Sequence, residues 1–301
     1  MEKIIVTGGA GFIGSHTVDA LITEGHEVVV VDRRMPADDY LNKAVLYEQI
    51  DIAHRRKVEK VFKIHKPEYV IHCAAEARIQ RSIDNPVGTF DSNCKGTLNV
   101  LLAARNHGVK RVVYSASSSA YGNKITLPLS EWMDSKPLNP YALHKYFGEE
   151  LCRIFAEIYG LETVSLRYFN VYGPRQLLEG PYSTVIPIFL DCLKRGLPMP
   201  IVPDGGQARD FTYVADVVCA NILAMRSENV GKGEVINIGF GKSHTIYDLK
   251  KMIGGTDWPW IYIEPRKGEI RETRADIMKA KELLGWEPKI SLKKGIEILK
   301  Q

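Results

Sequence analysis

The chain has 301 residues, 45% of them hydrophobic and 25% charged, with a formal net charge of +4. That composition excludes an extended disordered protein and supplies enough apolar side chain for one large domain or two interleaved ones. Acidic and basic residues alternate and no basic run is interleaved with aromatics, which argues against nucleic acid as a partner. The longest apolar runs are strand-sized, and Met1-Glu2-Lys3 leads straight into one, so neither a signal peptide nor a membrane span is expected. The cysteines, Cys73, Cys94, Cys152, Cys192 and Cys219, show no C-x-x-C spacing. They read as reduced core thiols of a cytoplasmic protein, with no disulfide framework and no metal site.

Lys3 to Thr7 is a β-branched run, followed by Gly8-Gly-Ala-Gly11-Phe-Ile-Gly14 and an amphipathic stretch from Ser15 to Glu24. Strand, glycine turn and helix in that order make a phosphate-binding unit. Gly8 permits the tight turn, Gly11 lets backbone approach a pyrophosphate, and Gly14 allows close packing with the helix N-terminus facing the anion. The next strand, Glu27 to Val31, ends at Asp32, where such units place the acid that accepts the adenosine ribose hydroxyls. A carboxylate there repels a 2′-phosphate and favours NAD. Arg33 and Arg34 beside it either cradle that phosphate, as arginines do in NADP sites, or face solvent.

Strands at Val45 to Asp51, Tyr69 to Cys73 and Val112 to Ser115 alternate with a helix ending near Ile64 and a long helix from Pro86 to Asn106. This alternation predicts an α/β fold with a doubly wound parallel sheet and ligands at the carboxyl ends of its strands. Asp51 and the pair Ala74-Ala75 fall at such ends. Asp51 either meets the adenine or caps a turn, and the alanines either admit the cofactor backbone or pack. The fifth strand continues into Ser117-Ser118-Ser119-Ala-Tyr121-Gly122, a hydroxyl cluster that is either turn chemistry or a donor set aimed at the ligand.

Asn139-Pro140 then opens a helix, with Asn139 as N-cap and Pro140 at the first position. On it Tyr141 and Lys145 stand one turn apart on one face, and a nearby ammonium favours phenolate over phenol. The same spacing recurs at Tyr247 and Lys251. Tyr141 follows a strand end on the ligand side of the sheet, whereas Tyr247 lies beyond the sheet-building region. Tyr141 is therefore the candidate base and Tyr247 a packing residue. A sixth strand, Thr163 to Arg167, leads into Tyr168-Phe-Asn170-Val-Tyr-Gly-Pro-Arg175, after which the alternation loosens. Helices are expected at Val185 to Lys194, from about Asp216, after Ser243, and at Ile277 to Leu284 and Leu292 to Leu299, with a strand at Val235 to Ile238. The chain reads as a cofactor domain over residues 1–170, with a return near 214–240, and a smaller lobe over 171–301.

Taken with Arg209-Asp210-Phe-x-Tyr213-Val and Pro265-Arg266-x-Gly268-Glu269, these motifs resemble the extended short-chain dehydrogenase/reductases of the NAD-dependent epimerase/dehydratase family. The likeness is strongest to the nucleotide-sugar 4-epimerases acting on UDP-glucose or UDP-N-acetylglucosamine. It implies a Rossmann-type sheet with a smaller α/β C-terminal substrate lobe, bound NAD, a UDP-sugar substrate and a homodimer built on the helix bearing Tyr141. Ser117, Tyr141 and Lys145 would form the catalytic trio. The implied cofactor set comprises Gly8, Gly11, Phe12, Ile13 and Gly14 of the turn, Asp32, Asp51 and Ile52, Ala74 and Ala75, together with Tyr141 and Lys145. Ser117, Ser118, Ser119, Asn170, Arg209, Arg266 and Thr273 would bind substrate, with Arg209, Arg266 and Arg271 as candidates for the diphosphate. Thr273 aligns with a position that is tyrosine in some glucose/galactose epimerases and small in relatives accepting N-acetylated sugars. The family's dehydratases and decarboxylases carry an acid just before the Tyr-Gly step, and Ser117-Ser-Ser-Ala120 has none. Simple epimerisation is therefore expected. The other readings are an epimerase of another sugar nucleotide, such as UDP-glucuronate, and a non-catalytic NAD sensor.

Overall fold

The computed structural model describes residues 1–36, 40, 42–176, 184–264 and 270–301. Seven parallel strands form its centre: β1 (Lys3–Thr7), β2 (Glu27–Asp32), β3 (Leu46–Gln49), β4 (Tyr69–His72), β5 (Arg111–Ser117), β6 (Glu162–Tyr168) and a late strand, Lys232–Ile238. Their spatial order is β3-β2-β1-β4-β5-β6 followed by the late strand. The order reverses between β1 and β4, and that switch point opens the crevice in which such sheets bind ligands.

Both faces of the sheet are covered, so the inner strands are apolar throughout instead of alternating. Ile4 and Val6 of β1 join Val28 and Val30 of β2 in one core, while Ile5, Val29 and Val31 join the other. The helices are α1 (Phe12–Thr23), α2 (Arg55–His65), α3 (Ile79–Asp84), α4 (Pro86–Phe90), α5 (Gly96–Asn106) and α6 (Pro140–Tyr159). The later part of the chain adds α7 (Val185–Arg195), α8 (Val214–Arg226), α9 (Ile246–Gly254), α10 (Met278–Leu284) and α11 (Leu292–Leu299). Short strands accompany them: β7 (Val171–Tyr172), β8 (Met199–Ile201), β9 (Ala208–Asp210), β10 (Thr212–Tyr213), then β11, which is the late sheet strand Lys232–Ile238, β12 (Ser243–Thr245) and β13 (Trp260–Tyr262). Through β11, which pairs with β6 from Lys232 to Ile238, the chain returns to the main sheet. The end of the chain is tied back as well: Asp216 accepts the N–H groups of Lys289 and Ile290, each at 3.0 Å, and Trp286 donates its indole N–H to the Asp216 carbonyl.

The structure departs from the sequence reading in several places. Helix α1 starts at Phe12, three positions before Ser15, because Gly11 is already its N-cap. The helix expected from Pro86 to Asn106 contains a π-helical turn at Asp91–Lys95 between α4 and α5, and α3 precedes it as a separate short helix. The π turn is used by Asn93, whose side chain accepts the Glu76 N–H at 2.8 Å and donates to the Glu76 carbonyl at 3.1 Å. Insertions of this kind favour functional positions, and here one clamps the chain just past β4. Three cysteines, Cys94, Cys152 and Cys192, are buried and Cys73 partly so, but Cys219 is exposed and is no core thiol. Among the described residues no helix is long and apolar enough to cross a membrane, and no cluster of metal-ligating side chains occurs.

Candidate active site

At the cofactor end, β1 runs into a turn that only glycine fits. Gly8 has φ +71°, donates its N–H to the Val31 carbonyl at 2.8 Å, and lies so close to β4 that a Cβ would stand 2.6 Å from the Ala74 nitrogen. A Cβ on Gly14 would stand 2.1 Å from the Gly8 carbonyl oxygen. Gly11 caps α1 without a side-chain bond, leaving the first-turn N–H groups for an anion. Asp32 ends β2 over this turn, accepting the Ala10 N–H at 3.2 Å and the Arg34 N–H at 3.1 Å. Burial holds its carboxyl above the usual range, with these N–H groups pulling the other way. Turn, helix end and ribose-side carboxylate fit NAD. Arg33 does not oppose that fit: its guanidinium is bonded to the Glu76 carboxylate, which also holds Arg81 at 2.9 Å. The Asp51 carboxylate accepts the Ala53 N–H at 2.8 Å, the turn-capping alternative, and the buried Ile52 offers its carbonyl to Asn99 at 2.8 Å. Ala74 donates its N–H to Thr7 Oγ1 at 3.2 Å, and the half-buried Ala75 follows it at the strand end.

β5 delivers the hydroxyl cluster. Ser117 Oγ accepts both the N–H and the hydroxyl of Ser119, at 3.2 and 2.8 Å, and is also hydrogen-bonded to the Tyr141 phenol. As the sequence reading has it, Asn139 caps α6 by accepting the Ala142 N–H at 2.9 Å, with Pro140 in the first turn. Tyr141 donates its own N–H to Ser82 Oγ on α3 at 3.0 Å. Lys145 is buried one turn on. Its ammonium donates to the Ser115 carbonyl at 2.6 Å and lies 5.0 Å from the centre of the Tyr114 ring. Burial lowers the Lys145 pKa to about 8, so it keeps its proton at neutral pH. Burial raises the Tyr141 phenol above its ordinary value, opposed first by the Ser117 hydrogen bond and then by the charge of Arg78. Arg78, which sequence reasoning did not single out, lines the same cavity as Tyr141, and the Lys145 ammonium is bonded to the β5 backbone.

A cavity of about 500 Å³ runs from this group to residues of the later part of the chain, within the size range of small-molecule sites. Phe12, Ile13, Ser117, Ser118, Ser119, Tyr141, Asn170, Arg209 and Thr273 all line it, so residues remote in sequence meet here. Asn170, at φ +29°, donates to the Asp210 carbonyl at 2.9 Å and to Thr273 Oγ1 at 3.3 Å. Asp210 is fully buried and receives the N–H groups of Phe240, Gly241 and Ala275, while burial lifts its pKa to about 6. It fixes β9, and β9 presents Arg209. Arg271 stands apart from the cavity lining, bonded through both carboxylate oxygens to Asp204 at 2.7 and 2.8 Å. Arg266, with its neighbours from Pro265 to Glu269, lies outside the described residues. Tyr247 is outside the cavity, packed over Gly205 and edge-on to Trp260 at 6.0 Å. Gln176, another lining residue that the sequence reading missed, donates to Thr184 Oγ1 at 2.9 Å.

Residues 4–239 match the NAD dependent epimerase/dehydratase family. A UDP-glucose 4-epimerase from Thermotoga maritima, solved with UDP-glucose, has a TM-score of 0.94 and 42% identity, covering 98% of this chain and 96% of that one. A UDP-N-acetylglucosamine 4-epimerase from Methanobrevibacter ruminantium, solved in complex with UDP-N-acetylmuramic acid, has a TM-score of 0.91 at 35% identity, covering 99% and 98%. The UDP-glucuronate 4-epimerase of Thermodesulfobacterium geofontis is 34% identical over 312 residues, spanning 99% of this chain and 94% of that protein. The glycine turn, the β5 hydroxyls and the Tyr141 helix accordingly belong to a member of the NAD-dependent epimerase/dehydratase family, of its nucleotide-sugar epimerase group.

Proposed function

We propose that this protein is a UDP-sugar 4-epimerase interconverting UDP-glucose with UDP-galactose and their N-acetylated counterparts. One observation carries the reading: among the described residues the cavity holds no carboxylate, histidine or cysteine, so Tyr141, bonded to Ser117, is its acid/base beside the hydroxyl cluster. One proton taken and returned suits a reversible oxidation and little more. Bound NAD supplies the acceptor and donor of the hydride at sugar carbon 4. Gly8, Gly11, Gly14 and Asp32 would hold it, with Lys145 on its ribose. Tyr141 takes the proton of the 4-hydroxyl and later gives it back, while Ser117 hydrogen-bonds the same oxygen. Arg209 would meet the diphosphate, and Asn170 and Thr273 would border the sugar. Incubating the protein with UDP-glucose, UDP-N-acetylglucosamine and UDP-glucuronate, and following the carbon 4 configuration by proton NMR, tests this reading. Interconversion of the first two supports it; inversion of UDP-glucuronate alone, or of none, rejects it.

Thr273 supports the roomier substrate range. It is 4% exposed, and its hydroxyl accepts the Asp210 N–H at 3.3 Å beside Asn170. Thr273→Tyr is expected to reduce kcat/KM for UDP-N-acetylglucosamine by about 10- to 200-fold relative to UDP-glucose, the range for steric rejection in a pocket. An equal loss on both substrates would reject the role. The protein is further proposed to be a homodimer, since α6 exposes Leu143 and Phe147 beside Val87 and Phe90 of α4, with the Phe90 ring edge-on to His144 at 5.7 Å. Sedimentation velocity is expected to give twice the chain mass, and a monomer at micromolar concentration would refute it.

A further inference from the structure

We propose that Glu76 sets the dinucleotide preference of this protein, by holding Arg33 in an ion pair that keeps its guanidinium from a 2′-phosphate. Arg33 follows Asp32, the carboxylate that ends β2 over the glycine turn. An arginine near that acid is what accommodates the 2′-phosphate in NADP sites, since its planar fork matches paired phosphate oxygens. The position therefore carries an NADP signal, and the group that silences it comes from another strand. Glu76 stands four residues past the end of β4. In the sheet order β2-β1-β4 its bond to Arg33 spans the end of β1, where the glycine turn begins.

The Glu76 carboxylate is fixed from two sides. Asn93 of the π turn accepts the Glu76 N–H at 2.8 Å and donates to its carbonyl at 3.1 Å, which sets the backbone. Arg81 of α3 donates to Oε2 at 2.9 Å, and Arg33 is bonded to Oε1, so each carboxylate oxygen has its own arginine. The Glu76 side chain is 7% exposed and that of Arg33 38%, so removing the carboxylate leaves a guanidinium that solvent and ligand can reach. The other acids at these strand ends are engaged by backbone: Asp32 by the N–H groups of Ala10 and Arg34, Asp51 by that of Ala53. Arg34 is exposed, and among the described residues its side chain has no hydrogen bond or ion pair. It is the rival cation for a 2′-phosphate. With Arg33 held by Glu76, that phosphate would meet the Asp32 carboxylate without the Arg33 charge to offset the repulsion.

The test reads bound cofactor and needs no turnover, so its result stands whichever UDP-sugar is the substrate. Purified protein is equilibrated with NAD and NADP at fixed ratios until its bound composition stops changing, then desalted and denatured, and the released dinucleotides are separated by chromatography. Glu76→Gln, which keeps the side-chain shape, is expected to raise the NADP-to-NAD affinity ratio by about 10- to 100-fold, the worth of one hydrogen bond to a charged group. Glu76→Gln combined with Arg33→Gln should return the ratio to that of the wild type. Arg33→Gln alone should leave it within about twofold, the scale of an ordinary surface substitution. An unmoved ratio in Glu76→Gln overturns the proposal, as does a gain that survives in the double variant, which would assign the phosphate to Arg34. Should Glu76→Gln lose its cooperative melting transition, Arg33→Gln decides alone. A falling ratio there would show the guanidinium already serving a 2′-phosphate in the wild type and overturn the proposal; an unmoved one upholds it.

Discussion

Tyr141→Phe is expected to lower turnover of UDP-glucose by about 10³-fold, within the span attributed to one positioned acid or base, while the protein still carries NAD. The substitution removes a single oxygen from a ring already packed in the fold, so melting temperature should barely change. The magnitude follows from the lining of the cavity: among the described residues no carboxylate, histidine or cysteine stands ready to take over the proton. Ser117 is a poor substitute, because its hydroxyl is already tied to Ser119 and has no base behind it. Initial rates and NAD released on denaturation check both halves of the expectation. The second tyrosine-lysine pair provides the control. Tyr247 packs on Gly205 and Trp260 outside the cavity, so Tyr247→Phe should leave turnover within about twofold, the scale of a surface change of a few tenths of a kcal/mol. A loss in the control equal to that at Tyr141, or activity retained in Tyr141→Phe, would sink the assignment of the base.

The two tyrosines also mark what the sequence makes legible. Local signals carried through: the Gly8–Gly14 turn, the Asn139 cap with Pro140, and the strand ends at Asp32 and Ser117 all depend on residues a few positions apart. The parallel sheet follows from the alternation of strand and helix, and the structure has it. What was illegible depends on partners distant in sequence. Arg33 was ambiguous between phosphate and solvent because its partner Glu76 is 43 residues away. Arg271 reads as a diphosphate ligand until Asp204, 67 residues earlier, is seen to hold it. The docking of α3 on α6 leaves no local trace, since it comes from Ser82 meeting the first turn of α6, 59 residues on. The π turn is hidden for a different reason: its residues satisfy a helical pattern equally well, and only the side-chain contacts of Asn93 show what the extra residue does.

Gly14→Ala is expected to weaken NAD binding by at least about tenfold, equivalent to about 1.4 kcal/mol, and to lower the melting temperature by several degrees. The added Cβ would stand 2.1 Å from the Gly8 carbonyl oxygen and 2.9 Å from the Gly9 Cα, and since both are backbone atoms no side chain can swing aside. Relief requires the β1–α1 turn to open, at a cost of about 1–3 kcal/mol for such overpacking. Opening it disturbs the Gly11 N–H bond to Gly8 at 3.0 Å, the Ala10 N–H bond to Asp32, and the α1 N-terminus that would face the pyrophosphate. Affinity and stability should therefore fall together. Gly25→Ala separates them. Gly25, left-handed at φ +85° where Gly14 is helical, has nothing within 4 Å of the built Cβ, so that variant costs about 1–2 kcal/mol of conformational strain at the far end of α1. It should melt earlier yet bind NAD as the wild type does. If calorimetric titration finds Gly14→Ala binding NAD with unchanged affinity, or both variants weakened alike, the cofactor does not rest on this turn.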